Sequence, residues 1–225
     1  NWYEMVKYKG IPKNVKGDGR NAASFTLDTD FAKRLIHGYY ACVSYTAAQI
    51  GKVLRTLDEL GLSDDTIVVF TSDHGFSLME HNRWSKHNLF NVENRVPLMI
   101  RVPSLTQKGQ SQSYVELIDL YPTIAELVGL ETPERVEGTS LVQNLKDPSL
   151  ISKSIGYSRI WNGDMVVSPN YLYAEWRGEE GGSVYDNMLY DLKADSLEMN
   201  NIADLPKYRK LVDSLSQQIK FKTVQ

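Results

Sequence analysis

The stretch TIVVFTSDHG, residues 66–75, decides the fold. Its first five residues, Thr66 to Phe70, are β-branched or apolar without alternation. Such a run predicts a strand covered on both faces, as in a parallel sheet with helices above and below. A second run, Pro97 to Val102, predicts another strand, closed by Pro103. In open α/β sheets, ligands sit outside the carboxyl ends of the strands. Asp73 and His74 leave the first strand at that end. Neighbouring residues of extended chain point to opposite faces, so both reach one ion only if the chain turns. Gly75 permits that turn. A carboxylate beside an imidazole is a normal metal pair. The two residues alone read slightly better as a turn capped by Asp73 with His74 on the surface.

Just beyond lies a basic knot, His81-Asn-Arg-Trp-Ser-Lys-His87. It sets Arg83, Lys86 and His87 around Trp84, on a loop that can fold back over the same strand end. Lysines and arginines clustered beside a metal pair suggest an oxyanion pocket. The alternative is a solvated basic loop with Trp84 as its hydrophobic anchor.

Outward from this stretch, the pattern is helix, strand, loop, strand, helix. Phe31, Leu35, Tyr39, Val43, Ala47, Ile50, Leu54 and Leu57 recur at helical spacing, predicting a helix over Asp28–Leu60. Asp28, Thr29 or Asp30 can cap it, and Gly61 follows its end. Gly38 and Gly51 inside it predict a bend or a close contact. Cys42, on the same helix, reads as a small buried hydrophobe. Asp119 to Val128 predicts a second helix, capped by Asp119 and ended by Gly129. This is α/β order. After Asp147-Pro148 come short strands at Ser154–Ile160, Met165–Val167, Tyr171–Trp176 and Met188–Leu192, with turn residues such as Asn162-Gly163 between them. Pro206 opens a closing helix with Tyr208, Leu211, Leu215 and Ile219 on one face. The expected organisation is an α/β core portion over 1–150 and a small antiparallel-sheet-plus-helix subdomain over 151–225. Residues 1–27 read as an irregular polar segment without the apolar core of a signal peptide.

Composition excludes whole classes. With 225 residues, 42% hydrophobic and 24% charged, the chain is neither disordered nor fibrous. No apolar run approaches the roughly 18 residues of a membrane span. A net charge of −3 gives no general pull toward nucleic acid. One cysteine excludes an internal disulfide and any multi-cysteine metal site. The expected partners therefore include neither nucleic acid nor a membrane.

Ser72-Asp-His-Gly75, Glu80-His81, Trp84-Ser-Lys86-His87 and Val96-Pro97-Leu98 together resemble the carboxy-terminal half of a sulfatase, of the alkaline-phosphatase-like superfamily. Gly38-Tyr-Tyr-Ala-Cys-Val-Ser-Tyr45 with Gln49-Ile-Gly51 resembles the long family helix before the metal strand. Leu189-Tyr-Asp-Leu192 and Glu198-Met-Asn-Asn-Ile202 resemble the family's tail motif, although Asp195-Ser196 departs from its usual Asp-Pro. The match runs in order over roughly residues 25–210. Asp-His at the metal looks nearest the iduronate-2-sulfatase-like branch.

The resemblance implies an α/β/α sandwich in part, followed by a small α+β subdomain. It implies that Asp73 and His74 hold one divalent cation, calcium in this family, although the pair by its chemistry also suits zinc. It implies that Lys86 binds a sulfate oxygen and charge on the leaving group, and that His81 and His87 either orient the groups of the site or contact an anionic substrate at its rim; Arg83 is expected on the same rim, and the substrate to be a sulfated sugar or glycosaminoglycan. The family's formylglycine nucleophile arises in C/S-x-P/S-x-R. Cys42-Val-Ser44-Tyr-Thr46 lacks the arginine, so the nucleophile and further metal carboxylates are expected in an amino-terminal part of the same enzyme. The chain alone is expected to be inactive. Family resemblance points to a periplasmic, secreted or lysosomal setting. The rival expectations are a phosphodiesterase or phosphonate hydrolase of the superfamily, and a non-catalytic binding domain.

Overall fold

The computed structural model describes residues 29–105, 108–178 and 182–224. The polar segment 1–27 and the Asp28 cap lie outside them. The chain divides into two compact units. One runs to His87 and takes in Asn91–Ser104; the other holds Asn88–Phe90 and continues from Leu105.

In the first unit, the long apolar periodicity becomes helix α1, Thr29–Glu59, with Gly61 in the left-handed region just beyond it. Its first turn buries Phe31 and Ala32 against Trp84, with Leu35, Ile36, Leu78 and Met79 around them. The helix runs unbroken through Gly38 and Gly51, and neither meets a tight contact: a Cβ on Gly38 would meet nothing within 4 Å, and one on Gly51 only the tip of Arg55 at 3.4 Å. Beyond the second turn many apolar positions stay open, with Tyr45 68% and Val53 69% exposed. Cys42 is exposed too, against the expected burial. A buried thiol needs a covered helix face, and among the described residues nothing covers that part of α1.

Strands β1 (Val68–Thr71) and β4 (Leu98–Arg101) form where the two apolar runs predicted them. They pair antiparallel, from Val68 opposite Arg101 to Thr71 opposite Leu98, not in parallel. An unbroken apolar run reports cover on two faces and carries no information about strand direction. Between them, β2 (Ser77–Leu78) pairs antiparallel with β3 (Trp84–Ser85), and a single helical turn, α2, spans Asn91–Asn94.

The second unit contains helices α3 (Leu120–Leu127) and α4 (Val142–Lys146), and then a four-stranded antiparallel meander. Its strands are β5 (Gly156–Ile160), β6 (Gly163–Val167), β7 (Tyr171–Arg177) and β8 (Val184–Asp191). Helix α5, Arg209–Val224, follows a turn opened by Pro206. Side chains alternate across the sheet as pleating requires. Met165, Leu172, Ala174 and Met188 face Leu89 on one side, while Val166, Tyr173 and Leu189 meet Leu215 and Ile219 of α5 on the other. Each such fully buried side chain contributes about 1.5–3 kcal/mol. The first hairpin loop is Trp161-Asn162, one residue earlier than the Asn-Gly pair suggested. Gly163 belongs to β6, where it pairs with Ile160 and Trp176 and a Cβ would lie 2.5 Å from the Trp176 ring nitrogen.

A buried ionic cluster stitches residues 114–119 to 153–157. Lys153 Nζ donates to Glu116 Oε2 at 2.7 Å and to both oxygens of Asp119 at 2.7 and 2.8 Å. Burial works to lower the Lys153 pKa, and the Asp119 and Glu116 hydrogen bonds outweigh it, raising it above the ordinary lysine value. The Asp119 carboxyl, expected to cap α3, instead accepts from the backbone N–H groups of Glu116 and Thr139. These bonds tie the α3 region to β5. The compact division therefore falls at residues 104–105, ahead of the composition change near 150.

Candidate active site

The chain leaves β1 at Thr71 and bends through residues 72–75. Local bonds shape the bend. Ser72 Oγ donates to the His74 carbonyl at 2.8 Å, and the His74 N–H donates to Asp73 Oδ1 at 3.0 Å. Gly75 then passes directly against α2: its N–H donates to the Glu93 carbonyl at 2.7 Å, and a Cβ would sit 2.1 Å from the Val92 oxygen. Glycine is needed here for close approach. Its φ lies outside the left-handed region, so the turn itself does not demand it.

His74 Nδ1 lies 2.7 Å from the Gly75 carbonyl oxygen. A carbonyl only accepts, so Nδ1 carries the proton and Nε2 presents a lone pair. That lone pair meets Lys86 Nζ at 2.8 Å, and Asp73 Oδ2 lies 3.4 Å from the same nitrogen. A carboxylate oxygen and an imidazole lone pair thus converge beside an ammonium. Desolvation pushes the Asp73 pKa up. The neighbouring His74 ring, its backbone N–H and the Lys86 charge outweigh this and hold the carboxyl below its ordinary value.

These donors fit a divalent cation as two of its ligands, with the tautomer fixed by a backbone carbonyl as metal-binding histidines usually have it. Calcium takes about six to eight oxygens. Among the described residues no third His, Cys, Asp or Glu gathers with the pair. Asp73 and His74 would supply two ligands of such a shell and leave the rest unfilled.

Lys86 arrives on a strained loop. Met79, His81, Asn82, Ser85 and His87, none of them glycine, all have positive φ, from 52° at His81 to 93° at Met79. Such residues cost of order 1–3 kcal/mol each and persist where their surroundings hold them, commonly at functional sites. The holding is visible. Trp84 is buried with its indole N–H 3.0 Å from Met79 Sδ, and Ser85 is buried opposite Ser77. Trp84 anchors the loop, and Lys86 reaches back to His74 at the strand end. His81, Arg83 and His87 are half-buried along the same loop.

Sequence reasoning missed the bracing behind the turn. Glu93 is buried, and its Oε1 accepts from Ser77 Oγ at 2.5 Å. The partners are 16 residues apart in an aperiodic stretch, and no local pattern announces them.

The Sulfatase family model matches residues 7–130. Human (Homo sapiens) iduronate 2-sulfatase is 38% identical over 248 residues, covering 78% of this chain and 45% of that protein. A protein solved in complex with its substrate D-glucosamine-2-N,6-O-disulfate superposes with a TM-score of 0.69 at 27% identity, over 77% of this chain and 37% of its own. The phosphonate monoester hydrolase of Silicibacter pomeroyi superposes equally well, with a TM-score of 0.69 at 25% identity over 79% of this chain and 38% of its own. The chain spans 35–47% of the length of the first curated relatives it matches.

Proposed function

The chain belongs to the sulfatase family and shares the alkaline-phosphatase-like fold of its structural neighbours, and from that premise we propose that it is the carboxy-terminal part of an enzyme hydrolysing sulfate esters on a sugar or glycosaminoglycan. The observation that carries this reading is the convergence of Asp73 and His74 on Lys86 at the end of β1.

The roles follow from the chemistry. Asp73 Oδ2 and His74 Nε2 would hold the cation, calcium by family resemblance, with other ligands from outside this chain. A cation bound there supplies fixed positive charge beside the sulfuryl oxygens. The His74 lone pair cannot serve Lys86 and a metal together. Once His74 ligates, the Lys86 ammonium is free to donate to a sulfate oxygen and to charge growing on the leaving group. His81, Arg83 and His87, on the same loop as Lys86, would meet the anionic sugar at the rim. The attacking group, a formylglycine by family resemblance, would come from the amino-terminal part of the same enzyme. That partner is supported by α1, where Val43, Tyr45, Val53 and Leu54 lie exposed, since exposed apolar residues along a helix suit burial against a further surface. The chain alone would be inactive. The periplasmic, secreted or lysosomal expectation rests on family membership. Among the described residues no helix is long and apolar enough to cross a membrane.

The structural likeness to a phosphonate monoester hydrolase favours one other reading. The complete gene product, assayed on an aryl sulfate and an aryl phosphonate monoester, decides between them. We expect the larger kcat/KM on the sulfate, lost in Asp73→Ala. A phosphonate preference would replace the sulfatase reading. Absence of turnover on either ester would leave a binding domain.

A further inference from the structure

The two halves of the candidate site sit on different segments. His74 belongs to the bend after β1, and Lys86 follows β3. Their 2.8 Å contact needs something to fix the segments against each other. Glu93 does so from behind. It is 4% exposed on α2 and bonds to both ends of the segment from Gly75 to Ser77. Its backbone carbonyl accepts the Gly75 N–H at 2.7 Å, next to His74. Its carboxyl Oε1 accepts Ser77 Oγ at 2.5 Å. Ser77 is fully buried and pairs in the β2–β3 ladder with Ser85, the residue before Lys86. One residue thus holds the His74 arm twice, at Gly75 through its main chain and at Ser77 through its side chain, and Ser77 in turn pairs with Ser85 on the Lys86 arm. A bond made in a water-free place is not replaced by solvent when one partner is removed.

We infer that Glu93 is a positioning residue, which sets the separation of His74 and Lys86 and thereby the readiness of the site for its cation and for an anionic ester. The inference rests on the function proposed above. It acts through hydrogen-bond acceptance at Ser77, so an uncharged acceptor of the same reach should serve.

The test uses the complete gene product. Glu93→Ala should raise the calcium Kd and lower kcat/KM on an aryl sulfate by about 10–100-fold each, the usual effect of losing a residue that orients a ligand. Glu93→Gln keeps the acceptor and should stay within about threefold of wild type. Met165→Ala, in the core of the second unit, is the control for lost stability: its calcium Kd and its kcat/KM per folded molecule should not change. If Glu93→Ala does not fold, Ser77→Ala removes the same bond and should move the calcium Kd in the same direction. Unchanged calcium affinity in Glu93→Ala, a Gln variant as damaged as the Ala variant, or an equal loss in the Met165 control would each overturn the inference. Wild-type failure on sulfate esters would sink the functional reading alone. A crystal structure then judges Glu93 by itself: a His74–Lys86 contact unchanged in Glu93→Ala refutes positioning, and a separated pair upholds it.

Discussion

Replacing Lys153 with methionine should loosen the second unit strongly. The ammonium makes three short hydrogen bonds to two carboxyl groups, one on Glu116 and two on Asp119. Asp119 is fully buried, and the Glu116 and Lys153 side chains are 12% and 19% exposed. Breaking a buried ion pair from one side costs about 3–5 kcal/mol, because a carboxylate is left without its cation. Here the loss is tempered. Asp119 keeps two backbone donors, Glu116 keeps the Tyr157 N–H, and methionine fills the space of the lysine stem. A loss of about 2–3 kcal/mol is expected from that partial compensation. With a urea m-value of about 2 kcal/mol/M, the midpoint should fall by about 1–1.5 M. The assay is urea unfolding of the complete gene product, following the transition that includes the meander sheet. The pH dependence has a definite sign. Lys153 has a folded pKa above the ordinary 10.5, so its contribution is complete below that value and is lost as pH rises through the folded pKa. The gap between wild type and variant should be constant near neutrality and close in strongly alkaline buffer. A midpoint shift below about 0.25 M, or one that changes with salt as surface pairs do, would refute the buried-cluster reasoning.

Lys86→Ala in the complete enzyme should lower kcat/KM by about 10²–10³ with little change in Tm, as loss of one preorganised donor does; Arg83→Ala should act modestly and mainly on KM. A larger loss in Arg83→Ala than in Lys86→Ala would transfer the anion-binding role. Gly75→Ala should destabilise by about 1–3 kcal/mol, since its Cβ would overlap the Val92 carbonyl at 2.1 Å; thermal melting checks this, and a wild-type Tm would show that the bend yields freely. Calorimetry on the 225-residue chain alone should find weak calcium binding, because two ligands leave about four to six positions unfilled. Tight binding lost in Asp73→Ala would mean that the shell is complete within this chain.

Much of this protein can be read along the sequence, because the deciding signals are local. The apolar periodicity of α1, the two β-branched runs and the alternating strands of the meander each report what neighbouring residues do to one another and to water. The Asp73-His74 pair with the basic loop 81–87 is likewise contiguous, and its spaced motifs carry the family. Tertiary structure decided what depends on distant partners. β1 and β4 run antiparallel because hydrogen-bond pairing, unlike hydrophobic cover, has a direction. Cys42 lies open because burial needs a second surface that periodicity alone does not supply. Gly75 is required by the Val92 carbonyl passing beside it, and Asp119 serves Lys153 and Thr139 in place of its own helix. Glu93 holds Ser77 across 16 residues in a stretch with no periodic pattern. The sequence names the groups of the candidate site. Their separation, and the buried bond that fixes it, exist only once the chain has folded back on itself.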